Sequence, residues 1–154
     1  MHTLKIGASL IALSLLVACG GEEKEEHGKE AEHKATATTA TPGAPLMPKE
    51  GGKVITIELT TDAAGVNKFS PNDFEAHQGD VLRFTLGSGV HNVHFLADSN
   101  RTLASPPPAS PLLQLPGQTY DIAVDFPEGR YYFQCDPHAL LGMVGHVKVE
   151  EREK

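Results

Sequence analysis

Short runs of alternating apolar and polar residues occupy most of the chain from Lys53 onward. Alternation with a period of two is typical of β-strands that bury one face. Turn signals such as GSG, LPGQ and PEG separate the runs, and no amphipathic helix competes with them, although 71–78 could form one helical turn. The pattern therefore predicts a single all-β domain folded as a β-sandwich, with strands at 53–59, 79–86, 90–97, 119–126, 129–135 and 143–150.

The first eighteen residues are a different kind of segment. MHTLK is short and basic, and the apolar run after it is too short to span a bilayer comfortably, so 1–18 is predicted to be a signal peptide. The run ends in LVACG, which resembles the lipobox of bacterial lipoproteins. This resemblance implies that Cys19 carries lipid and becomes the N-terminus, with enough acyl chain for stable anchoring. The alternative is an ordinary signal peptide with a coincidental cysteine.

Residues 19–50 differ in composition from both neighbouring segments. GGEEKEEHGKEAEHK is highly charged, and ATATTATPGAPLMP is rich in small residues and proline. Neither stretch can bury an apolar face, so we expect a disordered tether after the lipidated cysteine. Its flexible end-to-end distance would be roughly 30 Å. The histidines His27 and His33 are expected to be solvated, and the folded domain is predicted to span 51–154.

Charge and cysteine count narrow the possible functions. The net charge of −7 disfavours nucleic acid as a partner. The chain has only two cysteines, so if Cys19 carries lipid, Cys135 has no disulfide partner within the chain. A lone thiol in an exported protein is a liability unless something occupies it.

FQCDPHALLGMVGHVKV, at 133–149, concentrates possible metal ligands just before the last predicted strand. Two residues separate Cys135 from His138, and four separate His138 from Met143. A thiolate, an imidazole and a thioether suit copper, and a blue-copper site requires a second histidine. GVHNVHF supplies His91, which lies 44 positions before Cys135. His94 lies three residues after His91, so on a strand the two would face opposite sides and could not easily bind one ion.

HNVHF together with CDPHALLGMVGHVKV resembles the cupredoxin family, and most closely its plastocyanin-like members. The likeness extends over about 69–149, through FSPNDFEAHQGDVLRF and LPGQTYDIAVDFPEGRYYFQC. It implies a Greek-key β-sandwich that holds one type 1 copper ion. Asn92 would tie the two ligand-bearing segments together by hydrogen bonds, and Pro137 would restrict the loop. The copper ligands implied by the resemblance are His91, Cys135, His138 and Met143.

Two positions near the implied site depart from the plastocyanin-like pattern. Gln134 stands where those proteins usually have a tyrosine, which weakens the expectation of docking beside that residue. Leu140 and Leu141 follow His138, where small residues are usual. We expect at least one of the two leucines to be exposed and to form an apolar rim for partner docking.

A complete set of two histidines, a cysteine and a methionine leaves no easy position for a substrate. The predicted function is therefore one-electron transfer by copper that cycles between Cu(I) and Cu(II), and we do not expect an enzyme. The resemblance implies redox partners such as c-type cytochromes or a membrane oxidoreductase. We expect a monomer, lipid-anchored in the cell envelope and facing the periplasm or the exterior. The alternative is a copper chaperone or scavenger, which would favour an open, exchangeable site.

Overall fold

The computed structural model describes residues 45–152. The predicted signal peptide, Cys19 and most of the predicted tether lie outside this range. Two short 3-10 helices are present, Ala97–Ser99 and Asp136–Leu141, and no helix within 45–152 has the length and apolar character needed to cross a membrane. The strands are β1 (Val54–Thr61), β2 (Asn67–Ser70), β3 (Asp73–His77), β4 (Val81–Leu86), β5 (Thr119–Ala123), β6 (Gly129–Gln134) and β7 (Val144–Glu150).

The strands form the two sheets of a β-sandwich, which confirms the predicted fold class. One sheet has the order β2-β1-β4-β5 and the other the order β3-β7-β6. β1 pairs with β4, and β3 with β7, in parallel, whereas the remaining neighbours are antiparallel. Because these parallel partners are not consecutive in the chain, the connections cross between the two sheets, as in Greek-key sandwiches.

Phe133 on β6 lies at the centre of the hydrophobic core. Its ring centroid is 5.0 Å from that of Phe69 on β2 and 5.4 Å from that of Phe84 on β4. The aromatic cluster of Phe69, Phe84 and Phe133 therefore joins strands of opposite sheets. Tyr131, Phe133 and Cys135 are all completely buried, as the alternation along this strand predicts. The core thus extends along β6 directly to Cys135.

The prediction of a helical turn at 71–78 is wrong, because Asp73–His77 forms β3. This strand runs parallel to β7, with Asp73 opposite His146 and His77 opposite Glu150. Its alternation is visible in the fold, since Ala76 is buried in the core. The carbonyl of Asn72 accepts from the N–H of His146 at 2.8 Å, and the N–H of Gln78 donates to the carbonyl of Glu150 at 3.0 Å. Long-range pairing with β7 therefore outweighs the local preference of the sequence.

Residues 90–97 do not form the predicted strand. His91 makes an isolated bridge to Leu113, and His94 makes another to Gln134. Gln134 ends β6, whereas Leu113 lies in the loop that precedes β5. Because the backbone partners change within three residues, no continuous ladder can form. Because of this change of backbone partners, the two histidines lie in different surroundings. His91 is buried, and His94 is partly exposed.

Backbone near the predicted end of the tether contacts the sandwich. The N–H of Leu46 donates to a carboxylate oxygen of Asp121 at 2.9 Å, and the N–H of Lys49 donates to the carbonyl of Gly79 at 2.8 Å. The guanidinium of Arg83 on β4 donates two further hydrogen bonds to Asp121 on β5. Burial raises the pKa of Asp121, but the hydrogen bonds from Arg83 and Leu46 outweigh it and hold that pKa below its ordinary value.

The lowered pKa of Asp121 predicts a stability contribution that depends on pH. A carboxylate with a depressed folded-state pKa stabilises the fold above its unfolded pKa of about 3.9 and loses that contribution as the pH falls through the folded pKa. We expect Asp121→Asn to lower the free energy of unfolding by about 1–2 kcal/mol at pH 7, with the difference shrinking below about pH 4. Urea unfolding over this pH range measures it.

The control for this prediction is Asp98→Asn. Asp98 is exposed and forms no ion pair within residues 45–152, so its removal should change stability little at any pH. A destabilisation by Asp121→Asn that stayed constant down to pH 2.5 would contradict the role of its charge.

Candidate metal centre

Three donor atoms from two distant segments meet at one end of the sandwich core. The Nδ1 atoms of His91 and His138 are 3.2 Å apart, and the Sγ of Cys135 lies 3.7 Å and 3.3 Å from them, respectively. The point equidistant from the corners of this triangle is about 2.0 Å from each atom, close to the bond lengths of roughly 2.0–2.3 Å between first-row metal ions and nitrogen or sulfur ligands. The triangle therefore has the size that a metal ion requires.

The donors differ in exposure and in protonation. His91 and Cys135 are completely buried, whereas His138 is partly exposed. Burial lowers the pKa of His91, and repulsion from His138 lowers that pKa further. Burial likewise raises the pKa of the Cys135 thiol. In the metal-free chain the imidazole of His91 is thus held neutral and the thiol protonated, so binding of a cation must release the thiol proton.

The segment between Cys135 and Met143 folds back on itself and brings its donors together. It contains the 3-10 helix Asp136–Leu141, with Pro137 in the first turn, where the sequence predicted only a loop. The N–H of Cys135 donates to the carbonyl of Met143, and the N–H of Met143 donates to the carbonyl of His138, each at 3.1 Å. Met143 is completely buried and belongs to the hydrophobic core.

Asn92 links the two segments that carry the donors. Its Oδ1 accepts a 2.7 Å hydrogen bond from the N–H of Asp136, and its Nδ2 donates a 2.8 Å hydrogen bond to the carboxylate of the same residue. Asn92 follows His91 and Asp136 follows Cys135, so this reciprocal pair sets the distance between the two neighbouring donors.

His94 and Gln134 lie beside the donors and contact Asp136. The Nδ1 of His94 is 3.0 Å from a carboxylate oxygen of Asp136, so His94 does not join the triangle of donor atoms. Gln134 donates to the same carboxylate at 2.8 Å and accepts a 2.9 Å hydrogen bond from the hydroxyl of Tyr132. Burial raises the pKa of Asp136, but hydrogen bonds from Gln134, Asn92 and His94 outweigh it and lower that pKa below its ordinary value.

The surface at His138 is apolar. Leu140 is fully exposed and Leu141 is 73% exposed, and both lie on the same short helix as His138. Large apolar side chains exposed together are uncommon on soluble proteins away from contact sites.

Two polar residues that the sequence did not single out also reach the site. The hydroxyl oxygen of Thr61 is 3.1 Å from Nε2 of His91, and it donates a 2.6 Å hydrogen bond to Oδ1 of Asn67. Thr61 lies 30 positions before His91, and its local sequence carries no metal-ligand spacing that could have indicated the contact.

The donor set fits copper. Two neutral imidazoles and a thiolate in a plane, with a thioether as a weaker ligand, are the donors of blue-copper sites. His91, Cys135, His138 and Met143 form the arrangement typical of a type 1 copper site, and these are the four residues that the resemblance implied. Within residues 45–152, His91, Cys135 and Met143 are completely buried, and this apolar surrounding would keep water away from the ion.

Comparisons with known proteins identify the family. A family model described as copper binding proteins of the plastocyanin/azurin family matches residues 55–150. A chloroplastic plastocyanin of Hordeum vulgare is 36% identical over 126 residues, which cover 79% of this chain and 77% of that protein. A plastocyanin of Vicia faba is 40% identical over 86 residues, covering 53% of this chain and 86% of the relative.

A solved structure supports the fold independently. A reduced amicyanin variant has a TM-score of 0.51 and is 24% identical, with 63% of this chain and 82% of the amicyanin covered. Family match, sequence identity, fold and donor set agree. This chain therefore belongs to the plastocyanin/azurin family of copper-binding proteins: it is a plastocyanin-like cupredoxin, an electron-transfer copper protein.

Proposed function

We propose that this cupredoxin is a lipid-anchored shuttle that carries single electrons between redox partners in the cell envelope. The position of His138 is the observation that carries the proposal. Its Nδ1 faces the buried donor atoms, while the residue itself is partly exposed beside two exposed leucines. An electron that enters at this edge would cross one imidazole before it reached the centre.

The side chains around the metal centre have different roles in electron transfer. When bound, copper supplies a one-electron couple between Cu(II) and Cu(I). The buried residues His91 and Cys135 exclude water and hold their donor atoms at a fixed separation. Asn92 keeps the two ligand-bearing segments in register. A donor set that barely moves needs little rearrangement when the charge of the centre changes, which favours fast electron transfer.

We propose that Leu140 and Leu141 form the docking surface for partners such as c-type cytochromes or a membrane oxidoreductase. Desolvation of an apolar rim gives short-lived complexes their affinity without a large interface. We further propose that the chain acts as a monomer, which sedimentation of the purified chain can test, and that it is not an enzyme. Four side-chain donors leave no open ligand position of the kind that catalytic metal sites keep.

We expect the double variant L140S/L141S to lose docking without losing the copper centre. Its second-order rate constant for electron exchange with a c-type cytochrome should fall about tenfold or more, because each buried apolar anchor contributes roughly 1–3 kcal/mol. Stopped-flow kinetics measures the rate, and the reduction potential should stay within a few millivolts because neither side chain is a donor.

The control is Val54→Ser at the start of β1. Val54 is an exposed apolar residue, seven positions along the strand from Thr61 and so roughly 23 Å from that residue, whose hydroxyl contacts His91. It should leave the rate unchanged. If both changes slowed exchange equally, or if neither did, the docking surface would have to lie elsewhere.

Membrane anchoring is proposed from the sequence, since Cys19 lies outside the described residues. LVACG at 16–20 and the charged tether after it support a lipidated N-terminus facing the periplasm or the exterior. In a bacterial host with lipoprotein processing, the wild-type chain should fractionate with membranes and carry lipid mass on its N-terminal peptide, whereas Cys19→Ala should not. Recovery of both chains as soluble protein would refute the anchor and leave the copper centre unaffected.

Copper delivery is the alternative function, and the burial of the donors argues against it. A chaperone needs a site from which copper leaves quickly, whereas His91 and Cys135 are completely buried. A Cu(I) chelator should therefore remove copper from the purified chain only over hours. Transfer within seconds would favour copper handling over electron transfer.

A further inference from the structure

A polar pair, Thr61 and Asn67, contacts the side of His91 that faces away from the other donor atoms. The Nε2 of His91 lies 3.1 Å from Oγ1 of Thr61, and Oγ1 of Thr61 lies 2.6 Å from Oδ1 of Asn67. The two residues are direct partners across β1 and β2. The three side chains thus form a chain of polar contacts that begins on one sheet and ends at the buried imidazole.

The direction of these hydrogen bonds determines which nitrogen of His91 carries a proton. Oδ1 of Asn67 can only accept, so the single hydroxyl proton of Thr61 must point to it. The orientation of the amide is supported by its Nδ2, which donates to the carbonyl of Gly65 at 3.4 Å. The hydroxyl oxygen of Thr61 therefore presents a lone pair to His91 and accepts a proton from Nε2. In a neutral imidazole this leaves the lone pair on Nδ1.

Thr61 is itself held firmly by the loop that precedes His91. Its N–H donates to the hydroxyl oxygen of Ser88 at 3.1 Å, and the hydroxyl of Ser88 donates to its carbonyl at 2.8 Å. The backbone of Ser88 also accepts a hydrogen bond from the ring of His91, which raises the pKa of His91 against the effect of burial. The end of β1 and the loop that carries His91 are therefore joined by reciprocal hydrogen bonds.

Gly89 makes the close approach between Thr61 and His91 possible. A β-carbon at this position would lie 2.3 Å from the hydroxyl oxygen of Thr61 and 2.7 Å from Nε2 of His91. The backbone there also has a φ of +87°, which side chains other than glycine rarely adopt. Any larger residue at position 89 would push the hydroxyl of Thr61 and Nε2 of His91 apart. The hydrogen bond between them therefore requires glycine at this position.

We propose that Thr61 and Asn67 are a positioning pair that fixes the tautomer and orientation of His91 and so directs its Nδ1 to the copper. The proposal rests on the copper role of His91 and is independent of the lipid anchor and of the redox partners. With the opposite tautomer, a proton on Nδ1 would point toward Sγ of Cys135, 3.7 Å away, and would have to be moved before the nitrogen could bind a metal.

The test compares Thr61→Val with Thr61→Ser in the purified chain. Valine keeps the shape of threonine and removes the hydroxyl, so the Cu(I) dissociation constant, measured by competition with a chelator, should rise about 10-fold or more. Imidazole nitrogen NMR of the copper-free chain should show a single Nε2–H tautomer in the wild type and a mixture in Thr61→Val. Thr61→Ser keeps the hydroxyl. It should show a single Nε2–H tautomer and a Cu(I) dissociation constant within about threefold of the wild-type value.

The matched control is Thr60→Val, at the neighbouring position. The hydroxyl of Thr60 is buried and has no hydrogen-bond partner within residues 45–152, and adjacent strand residues face opposite sides. This variant makes the same chemical change on the same strand away from His91. It should leave the His91 tautomer and the Cu(I) affinity unchanged, which separates a loss of strand stability from a loss of positioning.

Asn67→Ala provides a second route should Thr61→Val fold poorly. Without its acceptor, the hydroxyl of Thr61 becomes free to donate to His91, so both tautomers should appear although the hydroxyl remains. A single Nε2–H tautomer in both variants, with Cu(I) affinity within twofold of the wild type, would overturn the proposal. A wild-type chain that bound no copper would instead refute the copper assignment, and the tautomer measurement in the copper-free chain would still decide the role of the pair.

Discussion

Cys135→Ser should abolish the intense visible absorption of the copper-loaded chain. The absorption of a blue-copper centre comes from its bond between thiolate and copper, and Sγ of Cys135 is the sulfur that lies within 3.7 Å of both imidazole nitrogens. A serine oxygen is a harder and more weakly acidic donor, so it cannot form that bond. We expect the band to fall to background and Cu(I) affinity to fall by at least the roughly 10–100-fold that even outer contacts of a metal site can cost.

Spectra of wild type and variant, loaded with equal copper and then oxidised, measure this effect. In the wild type a reductant should bleach the band and an oxidant should restore it. His77→Gln is the matched control, because it removes a histidine at the end of β3, beside Glu150, and not at the donor atoms. Unfolding of the copper-free Cys135→Ser chain should cost no more than about 1–2 kcal/mol relative to wild type, since the Nδ1 of His138, 3.3 Å from Sγ, can form a hydrogen bond with the buried hydroxyl.

Two results would contradict the copper assignment in different ways. An undiminished band in Cys135→Ser would mean that another sulfur binds the metal. A pale wild-type chain that nevertheless binds Cu(I) tightly would move copper handling ahead of electron transfer.

Phe133→Ala should produce the largest loss of stability of any single change in the core. The ring of Phe133 lies 5.0–5.4 Å from the rings of Phe69, Phe84 and Phe95, and the residue is completely buried. Removing a buried phenyl ring costs about 3–5 kcal/mol, because transfer free energy is lost and a cavity remains. This is a large share of the roughly 5–15 kcal/mol that stabilises a typical domain.

Urea unfolding of the copper-free chain measures the change, since bound copper would add its own stabilisation. Tyr132→Phe is the control, because its side chain points away from the core on the same strand and loses only the hydroxyl that donates to Gln134. We expect it to cost about 1 kcal/mol or less. Equal losses in the two variants would show that β6, and not the aromatic cluster, controls the stability.

The crowding at Phe133 also explains a glycine that the sequence pattern leaves unexplained. A β-carbon at Gly145 on β7 would lie 2.3 Å from the ring of Phe133 and 2.9 Å from the carbonyl of Asn72. The position must therefore stay small so that the aromatic ring can occupy the space between the sheets.

Strand prediction from the sequence succeeded where burial alternates along a single ladder. At 129–135 every second residue enters the core, and β6 was predicted within a residue of its bounds. The same reasoning failed at 90–97, where VHNVHFLA has the composition of a strand but changes backbone partners between His91 and His94. It also failed at β3, whose pairing with β7 depends on a segment about 70 residues later in the chain.

The sequence by itself determined the fold class and the group of donor side chains. Cys135, His138 and Met143 lie within nine residues, so their spacing alone keeps them close, and strand alternation is likewise a local property of the chain. The resemblance to cupredoxins already implied His91 and not His94, and one exposed leucine was expected. Only the tertiary structure decided that both Leu140 and Leu141 are exposed and that Thr61 and Asn67 reach the imidazole. These contacts depend on sheet register and on where loops cross between sheets, and neither leaves a mark in the local pattern of residues.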